Sequence, residues 1–347
     1  HSSAGTKNNY GIYLVDAFGN KELIYRDDAI SCLDPIPLRA RPRPPIIPDQ
    51  AGFSTPAGQA LHDGNSQPQT DTGEVAVLDV YNARMPWPAG TRIAALRIIE
   101  LLPKTTPIAN QPRIGFGDQK SARSVLGTVP VEPDGSAYFV MPVNRPVYFQ
   151  ALDANGQAVQ SMRSATYVHP GERLVCKGCH DLPDRSAAAA PNALALRRKP
   201  SKIAPEPDGS NPFSFPRLVQ PVLDKHCTRC HDGKAVDDRG KVMAPDLSSG
   251  DLARNNGQFY PSYVSLRPYA FYFDNAVFTT PRTIPGQVGA RASKLYPMLA
   301  KGHHDVKLTA DELHRISLWL DCNSDFFGAY DDTAAQARGE VVQPKLR

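Results

Sequence analysis

The chain has 347 residues, enough for about two or three domains. Its hydrophobic share of 41% and charged share of 21% are typical of a soluble globular protein. The net charge of +4 is modest, and Lys and Arg do not cluster, which argues against nucleic acid binding. No apolar run reaches the roughly 18 residues of a membrane-spanning helix, so we expect no transmembrane segment.

The first 70 residues combine a predicted hairpin with a proline-rich connector. Two β-rich runs, residues 11–15 and 22–25, flank a turn at Gly19 and Asn20, so residues 1–30 are predicted to contain a β-hairpin. Six prolines between residues 34 and 50 predict an extended linker at residues 31–70. Because the chain begins with His1, we expect that a signal was removed or that a longer polypeptide precedes it.

Residues 71–165 are predicted to form a β-sandwich-like middle domain. Short β-rich runs alternate with turn signals, among them Asp134-Gly135 and Asn155-Gly156.

From residue 166 the pattern changes. Residues 184–216 are predicted to be a surface linker, and helices are predicted around residues 215–231 and 307–322. Thr309 and Glu312 form a predicted capping box at the start of the second helix.

The sequence Cys-x-x-Cys-His occurs twice, at Cys176–Cys179–His180 and at Cys227–Cys230–His231. This spacing is typical of c-type haem attachment: the two cysteines bind the porphyrin, and the histidine binds the iron. Two matches by chance are improbable for six cysteines and nine histidines. An all-thiolate zinc centre is the chemical alternative, but zinc does not require a histidine after each pair. We therefore predict two covalently bound haem c groups in a mainly α cytochrome c-like domain at residues 166–330, followed by a tail at 331–347.

The ligand on the other face of each iron decides between electron transfer and substrate binding. For haem 2 the candidates are His303 and His304, which precede the last predicted helix, with His303 favoured. For haem 1 the candidates are His169 and His314, although a hydrogen bond at a domain interface is the preferred interpretation of His314. His62 is interpreted as an exposed loop residue. The methionines are weaker candidates, and most lie in apolar runs: Met85, Met141, Met162, Met243 and Met298.

Cys32 and Cys322 are left over from the two motifs. Leftover cysteines often pair in an oxidising compartment, so a disulfide between them is one expectation, and two buried free thiols are the other.

Several separate stretches resemble proteins similar to the hydrazine synthase alpha subunit. They are "YGIYLVDAFGNKELIYRD", "GTVPVEPDGSAYFVMPVNRPVYF", "PGERLVCKGCHD", "PVLDKHCTRCHDG" and "GHHDVKLTADELHRISLWLDC". The resemblance implies that the hairpin is the end of a β-propeller, followed by a middle β-domain and a two-haem domain in which His303 is a ligand. In the true synthase a tyrosine after the first motif binds the catalytic iron. Here the first tyrosine after Cys179 is Tyr260, which leaves His180 as the expected ligand.

The overall prediction is an α+β multi-domain, dihaem c-type cytochrome. Its favoured function is electron transfer with redox protein partners, within a larger complex or a longer polypeptide. Covalent haem attachment takes place outside the cytoplasm, so we expect a periplasmic or extracellular location. Two alternatives stay open: a haem enzyme acting on a small nitrogen or oxygen species at haem 1, and a structural cytochrome subunit.

Overall fold

The computed structural model describes residues 10–36, 38–40, 71–83, 85–108, 110–117, 121–179, 192–234, 236, 238–240, 244–250, 259–273 and 283–345. His62, His180 and Met243, and most of the predicted proline-rich linker, lie outside these residues. The chain divides into two units, residues 1–53 and residues 54–347. In the described part, no helix is both long enough and apolar enough to cross a membrane.

The predicted hairpin of the first unit is confirmed. β1 (Ile12–Val15) pairs antiparallel with β2 (Lys21–Tyr25). Asp16 shapes the turn, because its Oδ1 accepts hydrogen bonds from the backbone N–H groups of Phe18 and Asn20, both at 2.9 Å. Gly19 adopts φ 87°, a left-handed conformation that glycine adopts without steric cost.

The strands of the second unit form two sheets. A three-stranded sheet has the order β6-β3-β9, and a four-stranded sheet has the order β5-β4-β7-β8. β9 runs parallel to β3, whereas the other neighbours are antiparallel. The strands are β3 (Thr72–Val77), β4 (Ala95–Leu101), β5 (Arg123–Pro130), β6 (Ala137–Pro142), β7 (Val147–Leu152), β8 (Ala158–Ser161) and β9 (Arg173–Cys176).

The two sheets pack face to face, as a sandwich requires. Phe139 of the first sheet and Phe149 of the second meet edge to face, with ring centroids 5.6 Å apart. Successive residues of a strand point to opposite faces, so Ile98 joins the core between the sheets while Ile99 joins a second core on the outer face. The four-stranded sheet is therefore buried on both faces, between the other sheet and the helices.

The helices of the second unit are short, apart from α6 (Ala310–Asp321), which has 12 residues. They are α1 (Phe215–Leu218), α2 (Gln220–His226), α3 (Pro261–Leu266), α4 (Gly289–Ala292), α5 (Leu295–Ala300), α6 (Ala310–Asp321) and α7 (Thr333–Ala337). The predicted capping box begins α6: the Thr309 side chain accepts from the N–H of Glu312, and Glu312 accepts from the N–H of Thr309. Trp319 on this helix is fully buried.

The α+β class is confirmed, but a mainly α character for residues 166–330 is not. Three of the short helices, α1, α2 and α3, have a proline in their first two positions, and long connections separate several of the helices. The described part of the predicted surface linker instead runs beside the sandwich, where Thr128 and Ala204 exchange backbone hydrogen bonds of 2.8 and 2.9 Å. The predicted tail contains α7, whose Gln336 is buried and hydrogen-bonded to Gly328 and Ala329.

A buried ion network joins the sandwich to α6. Arg97, in the middle of β4, is fully buried, and its Nη1 lies 2.9 Å from Asp321 at the end of α6. Its Nε lies 3.3 Å from Glu206. Glu206 also binds His314 of α6, with Oε2 2.7 Å from Nε2. A charge this deeply buried requires such partners, and they tie three separate segments of the chain together.

Candidate functional site

The first Cys-x-x-Cys pair begins on the sandwich. Cys176 is the last residue of β9, and its carbonyl accepts a 2.8 Å hydrogen bond from the N–H of Leu78. Cys179 forms an isolated parallel bridge with Ala83. Strand pairing with β3 therefore continues up to the first cysteine of this motif.

Gly178, between these cysteines, is packed against neighbouring backbone. A Cβ atom at this position would lie 2.1 Å from the carbonyl oxygen of Asn82 and 2.9 Å from that of Asp79. Any side chain larger than hydrogen would displace the loop. The loop between the two thiols is thus held against residues 79–83.

Burial raises the pKa of the Cys179 thiol to about 12, and the nearby Cys176 and Asp79 act in the same direction. Burial also raises the pKa of Cys227, with Cys230 adding to it. Raised pKa values disfavour thiolates, which are the form that binds zinc. They are compatible with sulfur atoms that become uncharged thioethers.

The second Cys-x-x-Cys pair follows a helix, as predicted. Cys227 caps α2, and its N–H donates a 2.8 Å hydrogen bond to the carbonyl of Leu223. The N–H of His231 in turn donates to the carbonyl of Cys227 at 3.0 Å. One turn of backbone therefore connects the two cysteines and the histidine.

His231 is oriented by a carbonyl that the sequence did not reveal. Its Nδ1 lies 3.2 Å from the carbonyl oxygen of Pro245. A carbonyl only accepts hydrogen bonds, so Nδ1 carries the proton and Nε2 keeps its lone pair. This is the arrangement that metal-binding histidines commonly have in proteins.

His303 faces His231. Their ring centroids are 5.9 Å apart, and their ring planes are inclined at 35°. His303 is half-buried, and burial, followed by the charges of His304 and His231, lowers its pKa. The lower pKa favours the neutral imidazole, the form that binds a metal.

A tight turn holds His303 in this position. Val306 donates its N–H to the carbonyl of His303 at 3.2 Å, and His304 adopts φ 50°. The left-handed conformation is uncommon for a residue with a side chain. His304 is exposed, and its ring contacts that of His303 at a centroid distance of 4.6 Å. Of the two candidates, His303 is the one brought against His231.

The two histidine candidates for haem 1 lie elsewhere. His314 is hydrogen-bonded to Glu206 in the ion network, which agrees with the interpretation of His314 as an interface residue. His169 is exposed in the turn before β9, and its N–H donates to Glu172 at 2.7 Å. This turn precedes β9, whereas Cys176 is the last residue of β9, four residues beyond Glu172. The assignment of His169 as a ligand stays a prediction.

The other sulfur-containing residues take structural positions. Met141 is fully buried in the core between the two sheets, and Met298 packs against the second core, between the four-stranded sheet and the helices. Cys32 and Cys322 are both free, so the expected disulfide between them is not formed. Cys322 is 1% exposed, and burial raises the pKa of its thiol to about 12. The alternative expectation of a buried free thiol is therefore correct for Cys322.

The all-thiolate zinc centre is not assembled. Cys176 and Cys179 pack against the core between the two sheets, whereas Cys227 packs against the second core, between the four-stranded sheet and the helices. Throughout the described ranges, no group of three or more His, Cys, Asp or Glu side chains is arranged to hold a metal ion by itself. The two cysteine pairs are therefore separate sites.

Comparisons with known proteins identify relatives. A model of the hydrazine synthase alpha subunit middle domain matches residues 91–181, which extends one residue beyond His180. The chain is 23% identical, over 309 residues, to hydrazine synthase subunit alpha of Kuenenia stuttgartiensis, covering 66% of this chain and 38% of the relative. The solved structure of hydrazine synthase from that organism shares the fold, with a TM-score of 0.50 and 20% identity over 75% of this chain and 44% of that one.

The chain spans less than half the length of either relative. The family match includes β9 and the first cysteine pair, in agreement with their place on the sandwich. The chain is thus similar to the hydrazine synthase alpha subunit, and the similarity includes a match of residues 91–181 to the middle domain of that family.

Proposed function

We propose that this protein is a dihaem c-type cytochrome that transfers electrons in a redox complex outside the cytoplasm. The observation that supports this most directly is the facing pair His231 and His303, next to a Cys-x-x-Cys sequence. A histidine on each face closes the coordination of a haem iron, which suits electron exchange rather than substrate binding.

The spacing of this pair fits one iron between the two rings. A metal–imidazole bond is about 2.0–2.1 Å, and the ring centroid lies roughly 1.1 Å beyond the nitrogen, so two imidazoles that bound one metal from opposite sides would place their centroids about 6.3 Å apart. The observed distance is 5.9 Å. The inclination of the ring planes imposes no conflict, because each ring can rotate about its bond to the metal.

The residues of the second motif have distinct roles in the proposal. Cys227 and Cys230 would attach the porphyrin, and His231 would bind the iron through Nε2 while the Pro245 carbonyl fixes its ring. His303 would be the second histidine ligand, and the turn closed by Val306 holds it beside His231. When bound, haem supplies an iron that alternates between the ferric and ferrous states by one electron.

At the first motif, Cys176 and Cys179 are proposed to attach haem 1 and His180 to bind its iron. The packing of Gly178 against Asn82 supports a fixed loop, which covalent attachment at two points requires. The position of His303 supports a second ligand for haem 2, but no histidine among the described residues supports one as directly for haem 1. His314 binds Glu206, and His169 lies in the exposed turn before β9.

This difference between the motifs favours one second candidate function. Haem 1 with an open sixth position would bind a small nitrogen or oxygen species, as the enzyme alternative requires. The relative from Kuenenia stuttgartiensis is named as a subunit of a synthase. We propose by analogy that this chain also belongs to a larger assembly or polypeptide, and that its location is extracytoplasmic.

Haem attachment can be tested by mass spectrometry of the intact protein. We expect the mass of two haems per chain, and the loss of one haem in each of the double variants C176A/C179A and C227A/C230A. A c-type absorption spectrum of the dithionite-reduced protein is the second readout. A protein produced with a functional haem attachment system that carried no haem would overturn the proposal.

A further inference from the structure

The surface beside the second motif contains a charged cavity. It has a volume of about 240 Å³ and is lined by Lys225, His226, Arg229, Asp305, Val306 and Lys307. Val306 is its only apolar lining residue, whereas a porphyrin requires mostly apolar walls. The cavity is therefore suited to a charged group at the rim of the proposed haem 2 site.

The position of the cavity relates it to haem 2. Lys225 and His226 directly precede Cys227, and Arg229 lies between the two cysteines. Asp305 and Lys307 follow the proposed ligand His303 by two and four residues. The cavity is thus bordered by residues from both proposed binding segments. Cys230, which directly follows the lining residue Arg229, is exposed.

The lining has an excess of positive charge. Lys225, Arg229 and Lys307 are exposed cations, and Asp305 is the one acidic lining residue. Lys225 is bound to Glu312 at 2.7 Å. Arg229 and Lys307 have no ion-pair partner within the described part of the chain. Unpaired cations beside a concavity favour carboxylates, with which they form charge-assisted hydrogen bonds.

The net charge of the whole chain is also relevant to how a partner would approach this cavity. The net charge is +4, and the four propionates of two haems would bring it to about zero. A partner would then be steered by local patches rather than by an overall field.

We propose that this cavity, with Arg229 and Lys307, is the docking surface for an acidic electron-transfer protein that exchanges electrons with haem 2. Encounters between electron-transfer proteins bury less than about 1,200 Å² and depend on complementary charge, so a small patch suffices. The proposal depends on the dihaem function proposed above.

The test is the reoxidation of the reduced full-length holoprotein by two small probes in a stopped-flow instrument. Ferricyanide is the anionic probe, and tris(phenanthroline)cobalt(III) is the cationic one. The variants are R229E and K307E. K307E lies outside the attachment motif, so it remains informative if R229E fails to acquire haem. K202E, an exposed lysine beside the sandwich, is the matched control with the same charge change.

We expect each docking variant to slow one phase of the ferricyanide reaction roughly fivefold at low ionic strength, and less at high salt. The cobalt reaction should not slow, and K202E should behave like the unmodified protein. The docking proposal would be overturned if K202E slowed the ferricyanide reaction as much as K307E does, or if neither docking variant slowed it. In both cases the haem spectra would still be normal. An absence of haem would instead refute the proposed function.

Discussion

The ion network around Arg97 predicts that Asp321→Ala strongly destabilises the second unit. Asp321 accepts hydrogen bonds from Arg97 Nη1 at 2.9 Å, from the N–H of Ala158 at 3.0 Å and from the N–H of Ala290 at 2.9 Å. All of these groups are buried. The substitution leaves Arg97 with Glu206 as its one remaining carboxylate and leaves two buried N–H groups without an acceptor.

Breaking a buried ion pair costs about 3–5 kcal/mol, and each orphaned polar group costs about 1–3 kcal/mol. Because Glu206 still compensates part of the charge, we expect a total loss of about 3–5 kcal/mol in the free energy of unfolding. At roughly 2–4 °C per kcal/mol, the midpoint of thermal unfolding should fall by roughly 6–20 °C.

Thermal unfolding of the holoprotein followed by circular dichroism measures this shift. Asp208→Ala is the matched control, since it removes a partly exposed ion pair with Arg315 on the same helix. Surface pairs of this kind are worth about 1 kcal/mol or less. A shift for D321A as small as that for D208A would refute the conclusion that the network holds α6 to the sandwich.

Two further predictions concern single side chains. Lys225, the N–H of Thr309 and His226 lower the pKa of Glu312 from 4.5 to about 2, so its contribution to stability is present above pH 4.5 and is lost as the pH falls towards 2. Glu312→Gln should therefore flatten the acid dependence of the unfolding midpoint in that range, and an unchanged slope would contradict this. Gly178→Ala places a Cβ atom 2.1 Å from the Asn82 carbonyl and should lower the haem content from two to about one per chain. K177A in the same loop should retain both haems, and full haem content in G178A would refute the packing argument.

The local features of the chain were predictable because short-range patterns determine them. The hairpin turn at Gly19, the turn at Asn155-Gly156 and the capping box at Thr309 all follow from the residues that adopt them. His231 and His303, which the structure brings together, were also both candidates from the sequence, since His231 belongs to a recognisable spacing and His303 precedes a predicted helix.

Long-range contacts were not predictable in this way. β9 pairs with β3 about 100 residues away, and no local pattern indicates that the first cysteine pair lies at the end of a strand. Pro245 carries no signal of its role, because it contributes only a backbone carbonyl to His231. Arg97 in an apolar strand was a signal that could have been used: a cation between Leu96 and Ile98 requires a buried carboxylate from another segment.

The most direct test of the proposed axial pair is carbon monoxide binding by the dithionite-reduced holoprotein, followed in the Soret band. We predict that His303→Ala opens a coordination position at haem 2. Carbon monoxide should then shift about half of the Soret intensity, in addition to any fraction that it shifts in the unmodified protein. His304→Ala should leave the response unchanged. If H303A responds to carbon monoxide no differently from the unmodified protein, His303 is not an iron ligand and the electron-transfer account of this site is wrong.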